Sequence, residues 1–215
     1  MLQYLFANPI FFVGWLIALV IGITIHEFAH AYTAYRLGDS TAKMAGRVTF
    51  NPIAHMDPFG TLMLFLAGFG WGKPVPVNPF QLRHGRWGEI LVSFSGPLSN
   101  IIAAFIFALP LRVMAMAEIS VPSIMIQVLQ AIIELNLILA IFNLIPIPPL
   151  DGSKILTALA PKAFSGVMDE IQRIGPFVLL GIIILTIVLN IPLFSSIILP
   201  LVGKIEHLFI FWPGN

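Results

Sequence analysis

The chain contains no cysteine. That absence excludes disulfides, thiolate metal ligands and a cysteine nucleophile, so any bound metal must be held by His, Asp or Glu. Charge is almost as scarce. Asp, Glu, Lys and Arg make up 10% of the 215 residues, against roughly 25% in a soluble domain. The formal net charge is +1 and no run of like charges occurs, which argues against a nucleic-acid partner and against a polybasic lipid-binding tail. No stretch between the hydrophobic runs is both long and polar enough to fold as a separate module, and the chain shows neither an internal repeat nor a low-complexity segment. The first hydrophobic stretch lacks a positive leading region and a small-residue cleavage site, so it is expected to stay in the mature protein.

What is present is apolar: hydrophobic residues form 58% of the chain. A membrane-crossing helix needs about 20 mainly apolar residues, and residues 9–37, 88–117, 123–145 and 175–201 reach that length. Asn190 and Pro192 interrupt the last of these, which reads either as one kinked helix or as a short pair continuing to 211. Residues 59–69 are too short to cross comfortably and read as re-entrant or tilted. On either side, 46–50 and 74–77 read as short extended pieces. The expected architecture is one all-α polytopic membrane domain over 1–215, with about five or six membrane segments and a small extended or β element near the membrane surface. Its parts are a helix over 9–37, a loop over 38–87 holding the re-entrant and extended elements, and membrane helices over 88–117, 123–147 and 175–211. Basic residues gather between Arg36 and Arg86 and again at Lys154, Lys162 and Arg173. If 59–69 does not cross, both groups lie on one side, which the positive-inside rule makes cytoplasmic. A multi-pass protein of a bacterial-type plasma membrane is expected, with the N-terminus outside and partners drawn from the lipid bilayer and from other membrane proteins.

Within the first span stands His26-Glu27-Phe28-Ala29-His30, an H-E-x-x-H sequence. A spacing of four on a helix puts both imidazoles on one face, roughly 6 Å apart at Cβ, where they can share a metal ion. The bland reading is a pair of buried histidines bonded to backbone or water. Ionisable groups inside a membrane helix are costly and usually functional, which favours the metal. Neutral imidazoles suit Zn²⁺, whose open position holds a water acidified towards neutrality. Glu27, one residue along, points beside such an ion and suits a general base better than a ligand. Gly22, Ala29 and Ala34 keep parts of the helix slim.

A catalytic zinc needs a third protein ligand. Of the remaining acids, Glu134 and Asp151 are the contenders. Asp151 follows Asn143-Leu144-Ile145-Pro146-Ile147-Pro148-Pro149-Leu150, so three prolines break the span just before the carboxylate. Broken backbone at membrane depth is tolerated where it is buried in protein or lines a wet cavity, as in an active site. Asp151 could equally N-cap a short helix through Lys154 and Leu156, and Glu134 could pair with a polar neighbour.

His26 to His30 together with the N-L-I-P-I-P-P-L-D-G stretch from Asn143 to Gly152 resembles the site-2 protease family of intramembrane zinc metalloproteases. The resemblance implies one zinc per chain held by His26, His30 and Asp151, with Glu27 as catalytic base, and it favours Asp151 over Glu134. It also gives Asn143 the role of a donor to the tetrahedral oxyanion, against the alternative of bonding carbonyls freed at the proline break. The likeness continues through Gly38-Asp39, Asn51-Pro52, His55, Asp57 to Gly60, Lys73 to Pro79 and Ser95 to Asn100. It is similar to the compact branch of the family, without a PDZ or nucleotide-sensing module. The active site is then expected towards the cytoplasmic side. His55 and Asp57 read as structural, because the Asn-Pro and Asp-Pro turns explain their surroundings. Ser95 to Asn100 reads as close helix packing with a kink at Pro97, leaving Asn100 able to line a polar cavity.

The implied substrate is a membrane-spanning or membrane-proximal protein segment. A helical substrate hides its carbonyls in its own hydrogen bonds and must unwind before attack. An extended edge could receive it as an added strand. Pro74 and Pro76 block one edge of their segment, which favours residues 47–50 for that role. The rival readings are a proton-coupled transporter, which intramembrane His, Glu and Asp would also suit, a metalloenzyme acting on soluble or lipidated tails, and an inactive chaperone-like relative. The adjacent His-Glu at metal spacing and the absence of inverted repeats argue against the first, and an intact Glu27 against the last.

Overall fold

The computed structural model describes residues 9–67, 70–189 and 191–211. Asn190, read from sequence as an interruption, and the end of the expected 59–69 element lie outside the described residues. The architecture is all-α. Helix α1 (Pro9–Arg36) leads through a short α2 (Thr41–Met44) and a 3-10 turn (Pro52–His55) into α3 (Pro58–Ala67). Irregular chain with a second 3-10 turn (Pro79–Gln81) then reaches α4 (Arg86–Met116) and α5 (Ser123–Asn143). The short α6 (Asp151–Leu159), a turn at Lys162–Phe164, α7 (Ser165–Val188) and α8 (Leu193–Ile210) complete the chain. Among the described residues, four helices are long and apolar enough to cross a membrane: Phe12–Arg36, Arg86–Met116, Ser123–Asn143 and Leu193–Ile210.

Helices α1, α4 and α5 form the inner bundle, and small residues set how closely they approach. Ala18, Ala31 and Ala34 of α1 are fully buried. A Cβ at Gly22 would lie 2.7 Å from Leu139 Cδ1 and 3.5 Å from Asn136 Oδ1, so glycine there lets α5 rest against the α1 backbone. On the other side of α5, Ile133 and Leu137 interlock with Ala104, Ala108 and Leu111 of α4 and with Ile198 and Val202 of α8. The stretch expected over 175–201 is therefore two helices, with Pro192 at the start of the second. Pro192 holds the N-cap position, its carbonyl accepting the Ser196 N–H at 2.8 Å.

The loop over 38–85 is held by side chains. Gly38, at φ +105, turns the chain out of α1. Buried Asp39 then accepts Thr41 N–H at 2.9 Å and Asn78 N–H at 2.7 Å, joining the loop's two ends. Burial pushes its carboxyl up, but those hydrogen bonds outweigh it and hold the group below the usual carboxylate value. Asn51 and Asn78 each cap a proline-led turn, and Asp57 accepts Gly60 N–H at 2.8 Å where α3 begins. The small β element reduces to one antiparallel bridge, Met56 with Gly72; among the described residues no strand forms. Residues 48–50 are bends.

Candidate metal centre

His26, Glu27 and His30 occupy the C-terminal half of α1, and Asp151 is the first residue of α6 after the proline-broken chain. The three side chains meet although Asp151 is over 120 positions from either histidine. Asp151 Oδ2 lies 3.1 Å from His26 Nε2 and 3.0 Å from His30 Nε2, and the two Nε2 atoms are 3.0 Å apart. The N-cap position of α6 belongs to Leu150, so the Asp151 carboxylate is turned away from capping and towards the imidazoles. Its other oxygen accepts Lys154 Nζ at 2.9 Å. Glu134 is exposed on α5 and has no part in this group.

The outer nitrogens decide what the inner ones can do. His30 Nδ1 lies 2.7 Å from the Val92 carbonyl, which can only accept, so Nδ1 carries the proton and Nε2 a lone pair. His26 Nδ1 lies 2.6 Å from Asn100 Oδ1. The Asn100 amide is fixed in that orientation because its Nδ2 donates to Gly22 O at 3.0 Å and to Asn136 Oδ1 at 2.8 Å. Asn136 in turn donates to Ile132 O at 2.8 Å. His26 Nδ1 is thus also a donor, and its Nε2 presents a lone pair. With both imidazoles neutral, two lone pairs and a carboxylate oxygen converge on one point, a donor set suited to a shared metal cation. Ligand atoms of a tetrahedral zinc stand roughly 3.3 Å apart, close to the separations found. All three side chains are buried. The residues fit a zinc ion.

Glu27 lines the same cavity of about 620 Å³, together with Thr24, Leu64, Val75, Asn143 and Leu179. Its Oε2 is 3.7 Å from Arg47 Nη2. Burial pulls the Arg47 guanidinium below its ordinary pKa, and the facing Glu27 carboxylate acts in the opposite direction. Asn143, the last residue of α5, lines the cavity while its Nδ2 donates to Leu139 O at 2.9 Å. The Thr24 hydroxyl is buried without a partner among the described residues. His55 is buried and donates through Nε2 to Thr49 O at 2.8 Å.

Sequence reasoning passed over Asn136, the pairing of Arg47 with Glu27 and the part played by Gly96. Polar residues in apolar helices flag Asn100 and Asn136 as costly placements, but nothing in their spacing says that they reach His26. Gly96 reads as packing, yet what it admits is the metal group itself: a Cβ there would overlap His30 Nε2 and lie 2.7 Å from His26 Cε1. Both rings are tethered at Nδ1 and cannot swing aside cheaply. Gly96→Ala is therefore expected to cut zinc occupancy at least tenfold at limiting free zinc, checked by metal analysis of the purified protein; full occupancy would show that the rings can shift.

Comparison with known proteins follows the same line. The model of peptidase family M50 matches residues 109–189, which contain Asn143 and Asp151. A Bacillus subtilis protein named zinc metalloprotease YwhC is 42% identical over 191 residues, covering 87% of this chain and 84% of that one. Rip2 of Mycobacterium tuberculosis, also named a zinc metalloprotease, is 31% identical over 76% of this chain and 66% of its own length. Zinc metalloprotease MJ0392 of Methanocaldococcus jannaschii is 27% identical over 73% of this chain and 37% of its own length. No solved structure matches. With identity of this level running through most of both chains, the protein belongs to peptidase family M50 and is a zinc metalloprotease of the site-2 protease type.

Proposed function

We propose that the protein hydrolyses peptide bonds of membrane-spanning or membrane-proximal segments at the centre formed by His26, His30 and Asp151. The observation that carries this reading is the convergence of three buried lone pairs inside a bundle of membrane-length helices, with a carboxylate, Glu27, facing the same cavity. Zinc bound there supplies a Lewis acid that polarises the scissile carbonyl and acidifies water. Glu27 takes the proton of the attacking water and delivers it to the leaving amine. Asn143, at the cavity wall, turns its amide from Leu139 O towards the developing oxyanion. Lys154 occupies the second Asp151 oxygen and so leaves one oxygen for the metal. The cell membrane, with this cavity towards the cytoplasm, is the location that the basic loops favour.

The unwound substrate needs backbone partners. Residues 47–50, favoured from sequence, are poor ones: the chain bends over 48–50, and none of the four is among the residues that line the cavity. The better support is for Val75 and Val77. Both line the cavity, and among the described residues neither shows a backbone hydrogen bond. In an extended segment, alternate residues present N–H and C=O to the same edge, so Pro74 and Pro76 cost donors only on the other one.

The test uses zinc-loaded protein in liposomes with a single-span substrate and with its cleavage sequence as a soluble peptide. Cleavage of the spanning substrate, abolished by a chelator and restored by zinc, is expected. Cleavage confined to the soluble peptide would exclude the intramembrane reading.

A further inference from the structure

Arg47 is 3% exposed, and it is the cation paired with Glu27. Its Nη1 donates to Pro74 O at 2.9 Å, and its Nη2 donates to Lys73 O. The same Nη2 faces His55 Nδ1 at 3.4 Å and Glu27 Oε2 at 3.7 Å. Because His55 Nε2 donates to Thr49 O, Nδ1 is left as an acceptor turned to the guanidinium. Nε is buried with no partner among the described residues. One planar fork therefore contacts the α1 carboxylate, the carbonyls that lead into Val75, and the ring that anchors the bend.

We propose that Arg47 is a positioning residue for hydrolysis, holding the Glu27 carboxylate in register with the segment that receives the substrate backbone. This rests on the function proposed above, in which Glu27 is the base. Two physical points carry it. Bonding two carbonyls does not require a buried charge, which is costly to desolvate unless paired, and Glu27 is the carboxylate within ion-pair distance of Arg47 among the described residues. The separation matters as much as the sign. At 3.7 Å the guanidinium restrains Oε2 without closing a direct hydrogen bond on it, so a lone pair stays free to accept a proton.

The experiment compares wild type, Arg47→Met, Arg47→Lys and Glu27→Gln as zinc-loaded full chains in liposomes, measuring kcat and KM on a single-span substrate and zinc per chain. Arg47→Met is expected to lower kcat about 100-fold, the scale of a small misplacement of a reacting group, with zinc retained and KM changed by less than about threefold. Arg47→Lys, which keeps the charge but cannot reproduce the fork, is expected about tenfold below wild type. Unchanged kcat in Arg47→Met overturns the proposal, as does a loss carried by KM or by missing zinc, which would mark a purely structural clamp. Should Arg47→Met not fold, wild-type kcat in Arg47→Lys overturns it. Full activity in Glu27→Gln would instead bring down the base role of Glu27 on which this proposal rests; an inactive Glu27→Gln beside a fully active Arg47→Met sinks only the role given to Arg47.

Discussion

Glu27→Gln keeps its zinc and loses about 10²- to 10⁴-fold in kcat, the range that a positioned general base supplies. The substitution is nearly isosteric, and Glu27 is outside the converging group of His26, His30 and Asp151, so the ligand atoms stay where they are. An amide cannot take a proton from water. It also gives Arg47 no charge to pair with, which adds a local cost beside the cavity but none at the two imidazoles, whose outer nitrogens are fixed by Asn100 and Val92. Metal analysis alongside single-span cleavage separates the two effects: zinc at one per chain with cleavage gone is the expected pair. Undiminished turnover in this variant would mean that another group takes the proton.

Asp151→Asn acts on the metal itself. The wild-type carboxylate offers a full negative charge to a site whose other two donors are neutral, and Lys154 already occupies its second oxygen. An amide oxygen is a weaker donor for zinc, and the exchange leaves Lys154 facing a neutral group. Zinc occupancy at limiting free metal is expected to fall by more than about tenfold, with cleavage falling in proportion. Glu134→Gln, on the exposed face of α5, is expected to bind zinc as wild type does. If Glu134→Gln lost the metal while Asp151→Asn kept it, the ligand assignment would have to change.

The parts of this site that lie close in sequence were legible from sequence, because a helix fixes which neighbours share a face. His26, Glu27 and His30 fall within one stretch of helix, so their residue types and spacing imply a metal and a base directly. Asp151 lies more than 120 residues further on, and composition left it level with a helix cap until the proline-broken stretch before it was matched to a known pattern. Arg47 and Asn136 gave no such signal. Arg47 reads as one more basic residue in a loop, since only the folded bend brings it under Glu27. Asn136 sits on α5, two hydrogen bonds away from the imidazole it steadies. The membrane-length helices followed from apolar run length and the break near Pro192 from the proline itself, whereas the absence of strand pairing at 46–50 depended on tertiary contacts.

The hydrogen-bonded line from His26 through Asn100 and Asn136 to the Ile132 carbonyl uses residues from α1, α4 and α5 alone. A nascent chain that has delivered those three helices to the bilayer can already hold one ring in its binding orientation, while the carboxylate that completes the triad is still to be synthesised. The order of synthesis thus sets the ring's orientation before its carboxylate neighbour exists.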